Sequence, residues 1–169
     1  MVTRANSGQW AGSIAAIVVV AFDQLSKAWA LGALREEGFS RPLFGWLNAT
    51  LVLNRSNAFG LVPIVGEVSR WGLAALNLAA AAALVWWLYR GALRFPAALG
   101  AGVLAGGAVG NAIDRVRLGH VVDFLDLSPL GFHWVFNVAD SSVDLGIALL
   151  AFGMLTSREP TRSPHAEAK

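Results

Sequence analysis

The sequence contains no cysteine. That excludes disulfides, a thiolate nucleophile and any Cys-ligated metal at once. Charge is also scarce, at 14% of residues, where soluble domains carry roughly a quarter. With 56% hydrophobic residues and a mean hydropathy of +0.55, the chain is a membrane protein. A basic patch is missing as well. The 13 Lys and Arg are scattered and the net charge is +2, so the pI of 9.7 reflects a shortage of acids, and nucleic acid is not an expected partner.

What the sequence does have is hydrophobic length. A spanning helix needs ~20 mostly apolar residues, and four segments qualify: about 11–34, 71–89, 95–113 and 138–155. A cleaved signal peptide is not expected at the N-terminus, because Asp23 and Gln24 interrupt the first segment and apolar character resumes after them. Trp71 at one end of the second span, with Trp86, Trp87 and Tyr89 at the other, forms an aromatic belt. In the third span Gly102, Gly106 and Gly110 recur every fourth residue, leaving a stripe on which another helix can pack closely. Asp23 and Lys27 lie one turn apart in the first span and are expected to face the bundle as a pair, since an unpaired charge in hydrocarbon is costly.

The fold expected is therefore an all-α membrane protein of four transmembrane helices, a single domain over 1–169. A small, partly β extramembrane element should lie between helices 1 and 2, where Ala49 to Leu53 is β-leaning and Phe39, Phe44, Trp46 and Phe59 suit an interface. Residues 157–169 read as a disordered tail. Four spans place both termini on one side. Basic residues are tied between the two sides, and the short Arg90–Arg94 connection favours termini inside by the positive-inside rule.

Five of the six aspartates fall between Asn111 and Asp144. Two carboxyls brought together cannot both ionise, so one keeps a proton and the pair can act as general base and general acid, as peptide hydrolysis requires. Asp123, on the connection between helices 3 and 4, and Asp140, opening the last helix, are the candidates. Spacing alone leaves open whether these residues merely cap helices or bind arginines, and it does not exclude Asp126 or Asp144. Asp144, one turn beyond Asp140, could be a structural partner. Ser141 or Ser142 with His120 or His133 lacks any nucleophile elbow and more simply satisfies helix backbone. His120, Asp123 and His133 lack metal-ligand spacing, so no metal and no cofactor are expected.

The blocks DQLSK (Asp23 to Lys27), NRSNAFG (Asn54 to Gly60), GNAIDR (Gly110 to Arg115), GHVVDF (Gly119 to Phe124) and FNVAD (Phe136 to Asp140) together resemble the lipoprotein signal peptidase family, or signal peptidase II. That resemblance implies a bacterial inner-membrane aspartyl endopeptidase that cuts diacylglyceryl-modified prolipoproteins before the lipid-bearing cysteine, with its site at the outer face. It implies catalytic Asp123 and Asp140, and site-shaping or substrate-binding roles for Asp23, Lys27, Asn54, Asn111, Asp114, Arg115, Asn137 and Ala139. Cyclic peptides of the globomycin type are implied as inhibitors. Ser56 departs from the family's glycine two positions after the loop asparagine. The loop from Arg35 to Arg70, through Asn54, is expected to contribute to the site and close over substrate. The readings from other classes are a small proton- or ion-coupled transporter, disfavoured because the four spans show no internal repeat, and an intramembrane serine protease.

Overall fold

The computed structural model describes residues 6–55 and 66–156. The expected tail at 157–169 and the loop residues Ser56, Asn57, Phe59 and Gly60 lie outside the described residues. Four helices are long and apolar enough to cross a membrane: α1 (Ser7–Leu34), α2 (Glu67–Arg90), α3 (Phe95–Leu118) and α4 (Val138–Leu155). The first three run beyond the apolar segments, and at the start of α1 and the end of α3 capping, rather than hydropathy, sets the limit. Asn6 and Gln9 form a reciprocal capping box at the start of α1. Gly119, at φ 82°, closes α3 in the left-handed conformation that favours glycine, its N–H bonding Arg115 O at 3.1 Å. Asp114 and Arg115 are thereby helical, a turn past the expected end of the span.

α3 is the axis of the bundle, and glycine makes it so on two faces. Toward α1, a side-chain carbon at Gly102 would strike the Gly12 backbone, and one at Gly106 would come within 2.8 Å of Ala16 O. This is the expected stripe. Toward α4, Gly100 and Gly107 lie against the backbone of Gly146 and Ala139, and Gly146 and Gly153 reciprocate against Leu104 and Ala97. Such small-residue contact replaces the hydrophobic drive that lipid cancels. The large apolar side chains of the other helices, such as Ile17, Leu76 and Phe152, are left exposed on the outside.

The extramembrane element is a four-stranded antiparallel sheet in the order β1-β2-β3-β4. Two strands, β1 (Ser40–Phe44) and β2 (Leu47–Asn54), lie between α1 and α2 as expected. The other two, β3 (Val121–Asp126) and β4 (Val135–Phe136), come from the α3–α4 connection, so Asp123 is on a strand and not in a loop. VVDFLD hides its strand character because it is nearly all buried, and a strand covered on both faces loses the apolar-polar alternation. Val122 and Phe124 pack with Ala49 and Leu51 against Ala30 and Leu34 at the end of α1. Trp29 meets Phe124 edge to face at 6.0 Å. Asp123 consequently points to the other face.

Above the glycine seam the α1–α3 contact turns polar. Lys27 is buried and its ammonium lies 2.9 Å from both Asp23 and Asp114. The expected pair is thus a triad, its second carboxylate supplied by α3. Gly110 makes room for it, since a side-chain carbon there would lie 2.5 Å from Asp23 Oδ2.

Two stability measurements in detergent test this packing. Gly110→Ala should lower stability by about 1 to 3 kcal/mol through overpacking, whereas Gly72→Ala, which meets nothing within 4 Å, should not. Lys27→Met strands two buried carboxylates and should cost about 3 to 5 kcal/mol. Asp23→Leu should cost less, because Asp114 still faces the ammonium. Equal losses that simply sum in the double variant would mean that the three charges do not act as one unit.

Candidate active site

α4 starts from Asn137, whose side-chain Oδ1 accepts the Asp140 N–H at 2.9 Å while Asp140 Oδ2 accepts the Asn137 N–H at 3.3 Å. The FNVAD block is therefore a capping box. A carboxylate three residues into a helix also faces the positive end of the helix dipole. Capping does not exhaust Asp140, because its other oxygen, Oδ1, accepts from Asn111 Nδ2 on α3 at 2.8 Å.

Asp123 reaches the same network from the sheet. It is 2% exposed. Asn137 Nδ2 donates to Oδ1 at 2.6 Å, and Asn54 Nδ2, from the end of β2, donates to Oδ2 at 2.9 Å. Burial pushes the Asp123 carboxyl up to about 6 from its ordinary 3.8; the hydrogen bond from Asn54 opposes this, the nearby Asp140 charge adds to it, and the Asn137 hydrogen bond and Lys27 charge pull it back. Two carboxyls from different elements thus feel each other's charge and share one asparagine.

The asparagines are not free to turn. An ammonium can only donate, so Lys27, 3.0 Å from Asn111 Oδ1, forces the Asn111 amide nitrogen toward Asp140. Asn111 Oδ1 also accepts from Asn137 Nδ2 at 3.3 Å. The Asn137 oxygen is committed to capping α4, so its nitrogen serves Asp123. Behind this layer, Asp23 Oδ1 accepts the Ala139 N–H at 2.9 Å, and Asp114 Oδ2 accepts the Val122 N–H at 3.1 Å. The first bond satisfies an otherwise orphan donor in the first turn of α4. The second fixes β3 beside Asp123.

The structure brings together Asp123, Asp140, Asn54, Asn111 and Asn137 directly, with Lys27, Asp23 and Asp114 holding them from behind. Ala139, fully buried, is the spacer: its carbonyl lies where a side chain on Gly107 would be. Arg115 is buried within electrostatic range of Asp140, Asp123 and Asp114, yet its guanidinium donates only to Asn111 O, at 3.4 Å, and forms no ion pair among the described residues. Gln24 escaped the reading of the sequence. Its amide nitrogen bridges Asp23 (3.2 Å) and Asp114 (2.9 Å), and its place inside the DQLSK block was the available signal. Arg70 escaped it too. It binds the Arg115 and Val116 carbonyls at the end of α3 at 2.8 and 2.7 Å, which no local pattern announces.

The remaining candidates separate from this cluster. Asp126 is held by Thr50 and by the Ser128 N–H at 2.8 Å, and it ends β3 between Asn48 and Val135 of the neighbouring strands. Ser141 and Ser142 bond the carbonyls of Asn137 and Val138, as helix serines do. Asp144 is not a partner of Asp140: it is exposed, and among the described residues it has no hydrogen bond or ion pair. The chemical reason is that ionised carboxylates only accept, so neither offers the other a hydrogen bond. No three His, Asp or Glu side chains among the described residues are grouped to hold a metal ion.

Residues 15–156 match the family described as signal peptidase (SPase) II. A lipoprotein signal peptidase of Caulobacter vibrioides is 42% identical over 160 residues, 94% of each chain. Another, from Paraburkholderia phymatum, is 39% identical over 147 residues, 86% of this chain and 87% of that one. A solved structure described as a bacterial membrane enzyme superimposes with a TM-score of 0.76 at 30% identity, covering 90% of this chain and 93% of the other. From the matched span and these relatives, the chain belongs to the signal peptidase II family.

Proposed function

We propose that this multi-pass bacterial membrane peptidase, which removes signal peptides from prolipoproteins, works as an aspartyl enzyme whose dyad is Asp123 and Asp140. The observation that carries this reading is the single asparagine between the two carboxyls: Asn137 donates to Asp123 at 2.6 Å and exchanges two bonds with Asp140. Two buried aspartates so tied can share one proton. The ionised member takes a proton from a water molecule as that water attacks the scissile carbonyl. The protonated member hydrogen-bonds the developing oxyanion, and the tetrahedral intermediate collapses as the leaving nitrogen accepts a proton. Asn54 and Asn111 hold the outer carboxylate oxygens, so the lone pairs facing the substrate are set before it arrives. No cofactor enters this chemistry.

The substrate in this reading is a diacylglyceryl-modified prolipoprotein, cut before its lipidated cysteine, and cyclic peptides of the globomycin type compete for the same groove. The termini and the Arg90–Arg94 turn are cytoplasmic and the sheet lies at the outer face of the inner membrane. Asn54 touches Asp123 itself, so the part of the Arg35–Arg70 connection nearest the chemistry acts through a carboxylate.

Asp123→Asn and Asp140→Asn should each lower lipopeptide cleavage at least a hundredfold with membrane insertion intact, while Ser141→Ala and Ser142→Ala stay active; a lethal serine change with a tolerated Asp123→Asn would overturn the dyad. Asn54→Ala should lower cleavage without unfolding the protein. Stability should also report on Asp123. Its carboxyl binds its proton more tightly folded, near 6, than unfolded, near 3.8, so the folded state gains below that lower value and loses the gain as pH rises through 6. Thermal scans of wild type and Asp123→Asn should therefore diverge between pH 4 and 7, with wild type losing up to about 3 kcal/mol relative to the variant.

A further inference from the structure

Asp144 lies one turn beyond Asp140 on the same side of α4, about 6 Å further along the axis. It is exposed, partnerless among the described residues, and followed by the apolar run from Leu145 to Leu155. The buried stripe of this helix is Ala139, Ser142, Gly146 and Gly153, packed on α3, and Asp140 and Asp144 stand together at its flank. An ionisable side chain in a spanning segment is costly when it faces lipid, and such residues face a water-filled or substrate-filled path instead. Ionised carboxylates only accept, so Asp140 and Asp144 cannot serve each other. Its carboxyl is therefore displayed toward whatever passes the dyad on that side.

We infer that Asp144 is a specificity-determining residue, accepting a hydrogen bond from a hydroxyl- or amide-bearing side chain of the signal segment shortly before the scissile bond. This rests on the peptidase reading above. When the scissile bond sits at Asp123 and Asp140, the signal segment descends into the membrane along α4. A drop of about 6 Å corresponds to two residues if that segment is extended and to four if it is helical. The class of substrate selected is thus one with Ser, Thr, Asn or Gln two to four residues before the cleavage point. An apolar residue there would leave the carboxyl facing hydrocarbon without a donor.

The test uses full-length protein in nanodiscs and pairs of lipopeptides differing only by Thr or Val at the second, third or fourth residue before the cleavage site. Wild type should prefer Thr over Val at one of these positions by roughly tenfold in kcat/KM, the scale of a hydrogen bond to a charged group. Asp144→Leu should erase or invert that preference. Asp144→Asn, which retains an acceptor oxygen, should keep part of it. The same Thr/Val ratios in wild type and Asp144→Leu would overturn the inference. No cleavage of any lipopeptide by wild type would instead overturn the peptidase reading on which it rests.

Discussion

A buried ammonium with three acceptors around it is the constraint on which the rest of the structure turns. Lys27 touches Asp23, Asp114 and Asn111 at 2.9 to 3.0 Å, and each of those acceptors carries a further element. Asp23 holds the first turn of α4, Asp114 holds β3, and Asn111 reaches Asp140. An isolated charge in this setting is costly, whereas one with complete partners is tolerated. Pairing it therefore fixes α4 and β3 at once. The carboxylates of the site are positioned by electrostatic necessity rather than by apolar packing, which near a wet membrane surface lacks the reach to orient polar groups.

Below this charged layer the organising principle changes. α3 is two-thirds buried along its span while its neighbours are mostly exposed, and its glycines let α1 and α4 come close on separate faces. Rigid backbone contact in the membrane supports a polar cluster whose geometry has little slack. The sheet completes the enclosure. It packs its apolar face on the end of α1 and turns Asp123 toward α4.

The spans were legible because twenty apolar residues have few other uses, and the glycine period of α3 announced one close approach. The second face, Gly100 and Gly107, carries no comparable period and was missed. Strand β3 was unreadable for a related reason: burial on both faces removes the alternation by which strands are recognised. For the site, chemistry narrowed the choice to a few carboxylates, and the five motif blocks ranked them; neither could foresee that the Asp23–Lys27 pair would be a triad, because sequence spacing says nothing about Asp114 arriving from another helix. Asp144 shows the opposite failure. Its helical spacing from Asp140 invited a partnership that two groups able only to accept do not make.

The bond from Asp23 to the Ala139 N–H joins the first spanning helix to the last. Until α4 is in place, Asp23 has no Ala139 N–H to accept, Asn137 has no helix to cap, and Asp140 is absent from the cluster altogether. A chain emerging from the ribosome and entering the bilayer span by span therefore carries a half-built polar nest through most of its synthesis. The two carboxyls of the proposed dyad are both present only after the final insertion. On the proposed dyad, quality control is inherent in chain order, because a copy without α4 holds only one of the two carboxyls.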